Sequence, residues 1–94
     1  MQNTILIVDD EKEIADLVEI YLVSDGFRVL KAFDAKEGFQ YIENDTVDLA
    51  ILDIMLPEID GLEMCKEIRK TKNIPIIFLS ARSTDLDKIM GLGM

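Results

Sequence analysis

Four side chains able to do metal or phosphorus chemistry share one kind of position, immediately after an apolar run. Asp9 and Asp10 follow Ile5-Leu6-Ile7-Val8, Asp53 follows Leu49-Ala50-Ile51-Leu52, and Ser80 follows Ile76-Ile77-Phe78-Leu79. Three ionised carboxylates packed together repel one another and raise each other's pKa, and a cation is the usual remedy. With only oxygen ligands on offer, Mg²⁺ is the natural ion; it keeps several waters and takes one or two carboxylates plus phosphate oxygens. Such an ion can hold a phosphoryl donor against a carboxylate and offset the charge that spreads over the phosphoryl oxygens during transfer. Asp53 is the best nucleophile candidate, because it lies at the centre of the pattern and a carboxylate can form an acyl phosphate. Taken singly, each acid is better explained as a solvated loop start or helix cap, and Asp10 could cap the helix that follows it. Only the conjunction of Asp-Asp, Asp and Ser after three apolar runs favours a site.

The elements that must position these groups alternate strand and helix throughout. Ile5 to Val8 has no polar face, as expected of a strand buried on both sides. Ile14, Leu17, Val18, Tyr21 and Leu22 recur at the spacing of one helix face, and Gly26 stands where a left-handed residue usually ends a helix. Arg28 to Ala32 alternates polar and apolar, which predicts a second strand nearer an edge. Asp34 with Glu37 resembles a capping arrangement for a short helix with Ala35, Phe39 and Ile42 on its apolar side. Leu49 to Leu52 is a third strand; Asp60 can cap a third helix with Leu62, Cys65 and Ile68 facing inward. Ile76 to Leu79 is a fourth strand, and Thr84 with Asp87 starts a fourth helix whose apolar side is Leu86, Ile89 and Met90. Four such units with short connections imply right-handed crossovers and an α/β, doubly wound parallel sheet. In such sheets ligands bind outside the carboxyl ends of the strands, where the three carboxylates and Ser80 would converge.

Composition narrows the function classes. The 94 residues make one domain, 1–94. Nineteen acidic against ten basic residues give a net charge of −9, which repels nucleic acid and makes direct DNA binding by this segment improbable. The chain has no histidine, so imidazole metal sites and Ser-His or Cys-His nucleophile pairs are excluded. No apolar run approaches the roughly 18 residues needed to span a bilayer, and no signal-peptide pattern opens the chain. Cys65 has no internal disulfide partner and reads as a small core hydrophobe. A cytoplasmic protein without membrane contact is expected. The five methionines need no cofactor to explain them, and Glu11 and Glu13 read as a solvated helix start.

The motifs themselves are specific. Val8-Asp9-Asp10-Glu11, then Leu52-Asp53-Ile54-Met55-Leu56-Pro57-Glu58-Ile59-Asp60-Gly61, then Leu79-Ser80-Ala81 resemble the three signatures of the response-regulator receiver family. The resemblance runs over the whole chain; the Asp53-to-Gly61 stretch is highly specific, the Asp pair alone weak. It implies the flavodoxin-like (CheY-like) fold with strand order 2-1-3-4-(5), and the overall character is similar to the OmpR/PhoB class, including VanR-type regulators. By this resemblance Asp53 accepts a phosphoryl group from a sensor histidine kinase. Asp10 binds Mg²⁺, Asp9 ligates directly or through water, and the Met55 backbone carbonyl completes the protein ligands. Ser80 swings its hydroxyl onto the phosphoryl group and the Ala81 backbone N–H supports it. The implied protein is a phosphoacceptor of a two-component phosphorelay acting in transcription regulation, not a turnover enzyme, and the full-length protein switches a DNA-binding output domain. Pro57 and Gly61 shape the loop after Asp53, which is also ordinary turn chemistry. Met55 and Arg82 stand where the family gates the hydrolytic water. An apolar Met55 cannot orient water, so a long-lived phosphorylated state is expected, whereas Arg82 reads equally well as a solvated loop charge.

Some family features are missing. A complete receiver adds a fifth strand, a fifth helix, a Lys that pairs with the phosphoryl group and an aromatic switch residue; Lys88 is in the wrong place for that Lys. Losing the fifth strand leaves Ile76 to Leu79 as an apolar edge, a template for pairing. A homodimer, a segment-exchanged oligomer or an unstable chain is then expected, with weakened phosphorylation; the plainer alternative is that these residues are a piece of a longer protein. Two rival functions stand beside the leading one. A haloacid-dehalogenase-like phosphotransferase also uses an Asp nucleophile after a strand, but wants a second Asp two residues on, where this chain has Met55. A phosphorylation-defective interaction or dimerisation module is disfavoured by the acidic triad and kept open by the missing Lys.

Overall fold

The computed structural model describes residues 2–79. Strands β1 (Thr4–Val8), β2 (Arg28–Ala32), β3 (Leu49–Asp53) and β4 (Ile76–Leu79) alternate with helices α1 (Lys12–Ser24), α2 (Ala35–Asn44) and α3 (Gly61–Arg69). All pairings are parallel and the order is β2-β1-β3-β4, the CheY-like flavodoxin arrangement that the family resemblance implies. The unbroken apolar runs lie in the centre, where β1 is buried at every residue. The mixed run forms β2 at one end of the sheet, with Arg28 exposed and Lys31 half-buried. β4 ends the sheet among the described residues. The helix expected to start near Thr84 lies outside them.

Successive strand residues point to opposite faces, and two apolar layers result. On one face Leu6, Val8, Ala50, Leu52 and Phe78 pack against Ala35 and Ile42 of α2 and Met64 and Ile68 of α3. On the other, Ile5, Ile7 and Ile51 pack against Ala15, with Val18 and Leu22 half-buried beside them. Here the helix-face expectation needs correction. Leu17 and Tyr21 are 55% and 68% exposed; the inward stripe of α1 is Ala15, Val18 and Leu22. Apolar residues cover more than half the circumference of α1, so spacing alone cannot choose the edge of the stripe. In α3, Leu62 is likewise exposed rather than inward, while Met64 is fully buried. Met64 lies one turn before Ile68; Leu62, six residues before it, is about 240° round the helix. Cys65 is half-buried and packs on the same layer, as expected.

The helix ends follow local chemistry. Asp34 accepts the Glu37 N–H at 2.8 Å, and Glu37 reaches back to accept the Phe33 N–H at 2.9 Å, a variant of the reciprocal cap. α1 ends at Gly26, whose φ of 94° is the left-handed region. Its N–H donates to Val23 and the Phe27 N–H donates to Leu22, and Leu22 and Phe27 join one apolar cluster; this is the Schellman closure. Gly38 allows a close approach: a Cβ there would lie 2.6 Å from Met64 Cε and 2.9 Å from Val8 Cγ2.

Candidate functional site

β1 and β3 are neighbours with Val8 opposite Leu52, so the next residues, Asp9 and Asp53, emerge side by side at the carboxyl edge of the sheet. Both are buried, and Asp10 is exposed. One carboxylate oxygen from each of the three lies within 4.8 Å of the others. Asp9 is fixed twice: its N–H donates to the Ala32 carbonyl at 3.0 Å, and its Oδ1 accepts the Glu11 N–H at 2.8 Å. Asp53 Oδ1 accepts the Met55 N–H at 3.0 Å, while Oδ2 is buried with no hydrogen-bond partner.

The loop after β3 is closed tightly around the end of that strand. The Ile54 N–H donates to the Leu79 carbonyl, and the Gly61 N–H returns to the Ile54 carbonyl at 2.9 Å. A Cβ on Gly61 would collide with the Asp53 carbonyl oxygen, so the start of α3 can reach this point only with glycine. Asp60 caps that start by accepting the Glu63 N–H at 2.8 Å. At α1 the N-cap is Glu11, not Asp10, and Glu11 makes no side-chain capping bond. Asp10 is therefore not spent on the helix end.

Electrostatics single out the same groups. The Asp9 carboxyl is pushed up to about 7, first by burial; the Glu11 N–H opposes this, and the charges of Asp53 and Asp10 add to it. Asp53 is also raised, again by burial first, opposed by the Met55 N–H and reinforced by Asp10. Buried carboxylates that face each other, one with an unpartnered oxygen, are stabilised in ionised form by a hard divalent cation. The donors are all oxygen, so the residues fit such an ion.

Asp9, Asp10 and Asp53 are thus brought together as expected. Met55 is beside them, 47% exposed, and tied to Asp53 through its N–H. Ser80, Ala81 and Arg82 lie outside the described residues; Leu79, just before them, is in register with Asp53. What residue types could not reveal is the holding framework. Ala32 acts through its carbonyl and Gly38 through the side chain it lacks. The only available signal for Gly38 is a glycine inside a helical pattern, which normally costs stability unless packing requires it.

Comparison with known proteins agrees with this geometry. Residues 5–94 match the family described as the response regulator receiver domain. The chain is 49% identical over 94 residues to the regulatory protein VanRc of Enterococcus gallinarum, covering 100% of this chain and 41% of that protein. It therefore spans about two fifths of that relative's length. Its fold is similar to a CheY-like receiver domain protein of Methanospirillum hungatei, with TM-score 0.84, 32% identity, and coverage of 93% of this chain and 70% of that one. It is also similar to the response regulator TrrA of Thermotoga maritima in complex with Mg²⁺-BeF: TM-score 0.81, 40% identity, 87% of this chain and 72% of that one. TrrA matches as well in its complex with the histidine kinase ThkA, at TM-score 0.81 and 39% identity, covering 89% of this chain and 73% of that one. A family match over nearly the whole sequence, on a parallel sheet with three carboxylates at its carboxyl edge, makes this chain a member of the response-regulator receiver family.

Proposed function

We propose that the chain is the phosphoryl-accepting receiver of a two-component system, with Asp53 as acceptor and Mg²⁺ held by Asp9, Asp10, Asp53 and the Met55 backbone carbonyl. The observation that carries this reading is the buried, unpartnered Oδ2 of Asp53 inside a three-carboxylate cluster. Oδ1 is occupied by the Met55 N–H, which leaves Oδ2 to attack phosphorus. The new bond is Oδ2–P. The bond broken is P–N of a kinase phosphohistidine, or P–O of an acyl phosphate. Bound Mg²⁺ would supply charge compensation for the phosphoryl oxygens. Asp9, fixed by Ala32 and Glu11, would orient its side of the cluster directly or through a water.

The group remains on Asp53 after transfer, so the domain is a signalling acceptor and not a turnover enzyme. Met55, exposed and apolar, offers hydrolytic water no hydrogen bond, which favours a long-lived phosphorylated state. Ser80 and Ala81 complete the reading as the hydroxyl and backbone N–H that sense the phosphoryl group. A sensor histidine kinase is the donor; TrrA, similar in fold, is known in complex with the histidine kinase ThkA and with Mg²⁺-BeF. In the longer protein the phosphorylated receiver would switch a DNA-binding output domain in the cytoplasm. No helix among the described residues is long and apolar enough to cross a membrane.

The test uses Mg²⁺ with beryllofluoride, a phosphoryl mimic, while amide resonances of Met55 and Glu11 are followed. Both should shift in the wild-type chain, and Asp53→Asn should abolish the beryllofluoride-dependent part. A response that survives Asp53→Asn, or none in the wild type, overturns the assignment.

A further inference from the structure

We propose that Lys31, on β2, is a positioning residue for the carboxylate cluster: it anchors α1 and thereby fixes the turn that carries Asp9 and Asp10. Its Nζ lies 2.7 Å from Asp16 Oδ1 and 2.8 Å from Glu19 Oε1, both on α1. Lys12 adds a bond to the other oxygen of Asp16 at 2.9 Å. The carboxylates hold the Lys31 ammonium above its ordinary pKa, chiefly through Asp16.

α1 needs such an anchor more than the other helices do. It buries only Ala15 completely, whereas α2 and α3 each bury three residues. Its N-cap Glu11 makes no side-chain capping bond, unlike Asp34 and Asp60. The first turn hangs on the Glu11 carbonyl, which accepts from Ile14 and Ala15, and the Glu11 N–H is held by Asp9 itself. A shift of α1 is therefore transmitted to the Asp9 carboxylate. β2 grips both ends of this linkage, through Lys31 on the helix and through the Ala32 carbonyl on the Asp9 N–H.

The inference rests on the cation site proposed above, and positioning and simple charge predict opposite signs. Lys31→Met removes a positive charge from an already acidic chain, which by Coulomb attraction alone would tighten Mg²⁺ binding. Loss of the anchor weakens it. The experiment is a Mg²⁺ titration followed by amide shifts of Met55 and Glu11 in the wild type, Lys31→Met and Lys31→Arg. Lys31→Met should raise the Mg²⁺ Kd about fivefold, less than the loss of a direct outer-shell partner, and Lys31→Arg should stay within about twofold of wild type. In a D16N/E19Q background, K31M should change Kd no further. Equal or tighter binding by K31M, or an undiminished effect of K31M in that background, overturns the positioning role. A wild-type chain whose resonances do not respond to Mg²⁺ overturns instead the cation site on which it rests.

Discussion

Where α2 and α3 cover the sheet, each helix is started by its own aspartate and pressed onto the strands by fully buried residues, Met64 and Ile68 among them. Where α1 covers it, the helix start has no side-chain cap, and Leu17, Ile20, Tyr21 and Val23 lie largely exposed. Asp53 leads by a tight glycine-closed loop into the first kind of helix, Asp9 and Asp10 into the second. The difference separates two kinds of support. The Asp53 end is held by a closed loop and buried side chains. The Asp9–Asp10 end is held by few contacts, the pairs of Lys31 with Asp16 and Glu19 among them, so the same preorganisation there depends on each of them.

Substitutions should register this inequality. Met64→Ala, on the dense face, should cost about 3 kcal/mol in denaturant unfolding, and Leu22→Ala on the α1 face about 1–2 kcal/mol. Equal losses would erase the distinction.

At the rim between the faces, pH is the probe. Asp9 titrates near 7 and Asp53 is raised as well, so the folded chain holds protons that the unfolded chain releases above about pH 4. The contribution of these two carboxyls to the stability of the cation-free protein is therefore fullest below that value and is lost as pH rises toward 7, by about 2–4 kcal/mol. The Asp16 ion pairs, with that carboxyl lowered, weaken in the opposite direction, as pH falls. Mg²⁺ should raise the melting temperature more at pH 7.5 than at pH 5. Melting curves with chelator and with Mg²⁺ check both signs.

Gly38→Ala tests the close approach of α2. Met64 Cε can yield, but Val8 Cγ2 belongs to a stiff β-branched residue in the sheet. A loss of about 1–2 kcal/mol is expected, together with shifted amide resonances at Asp9, the residue after Val8. The smallest effect belongs to Tyr21→Ser on the open flank of α1, within about 0.5 kcal/mol of wild type.

Much of this was legible in the sequence. Unbroken apolar runs marked the central strands and the alternating run marked β2, because burial on two faces or one leaves different patterns. Asp34, Asp60 and Gly26 announced helix ends through chemistry that acts within a few residues. The carboxylates were legible because a parallel sheet collects strand ends at one edge. Less legible was the rotation of helices about their axes: Leu17, Tyr21 and Leu62 fit the apolar spacing yet face outward. That choice is made by neighbours distant in sequence, such as Val8 and Gly38 against Met64. The Lys31 anchor was hidden for the same reason, since residue type gives no sign that a β2 lysine meets Asp16 and Glu19.

The most direct test of the central claim is chemical trapping of the acceptor. The chain is incubated with acetyl phosphate and Mg²⁺, reduced with borohydride, which converts an aspartyl phosphate to homoserine, and mapped by peptide mass spectrometry. Homoserine at position 53, dependent on Mg²⁺ and absent from Asp53→Asn, is the predicted result. Trapping at another carboxylate, or equal trapping without the cation, would contradict it.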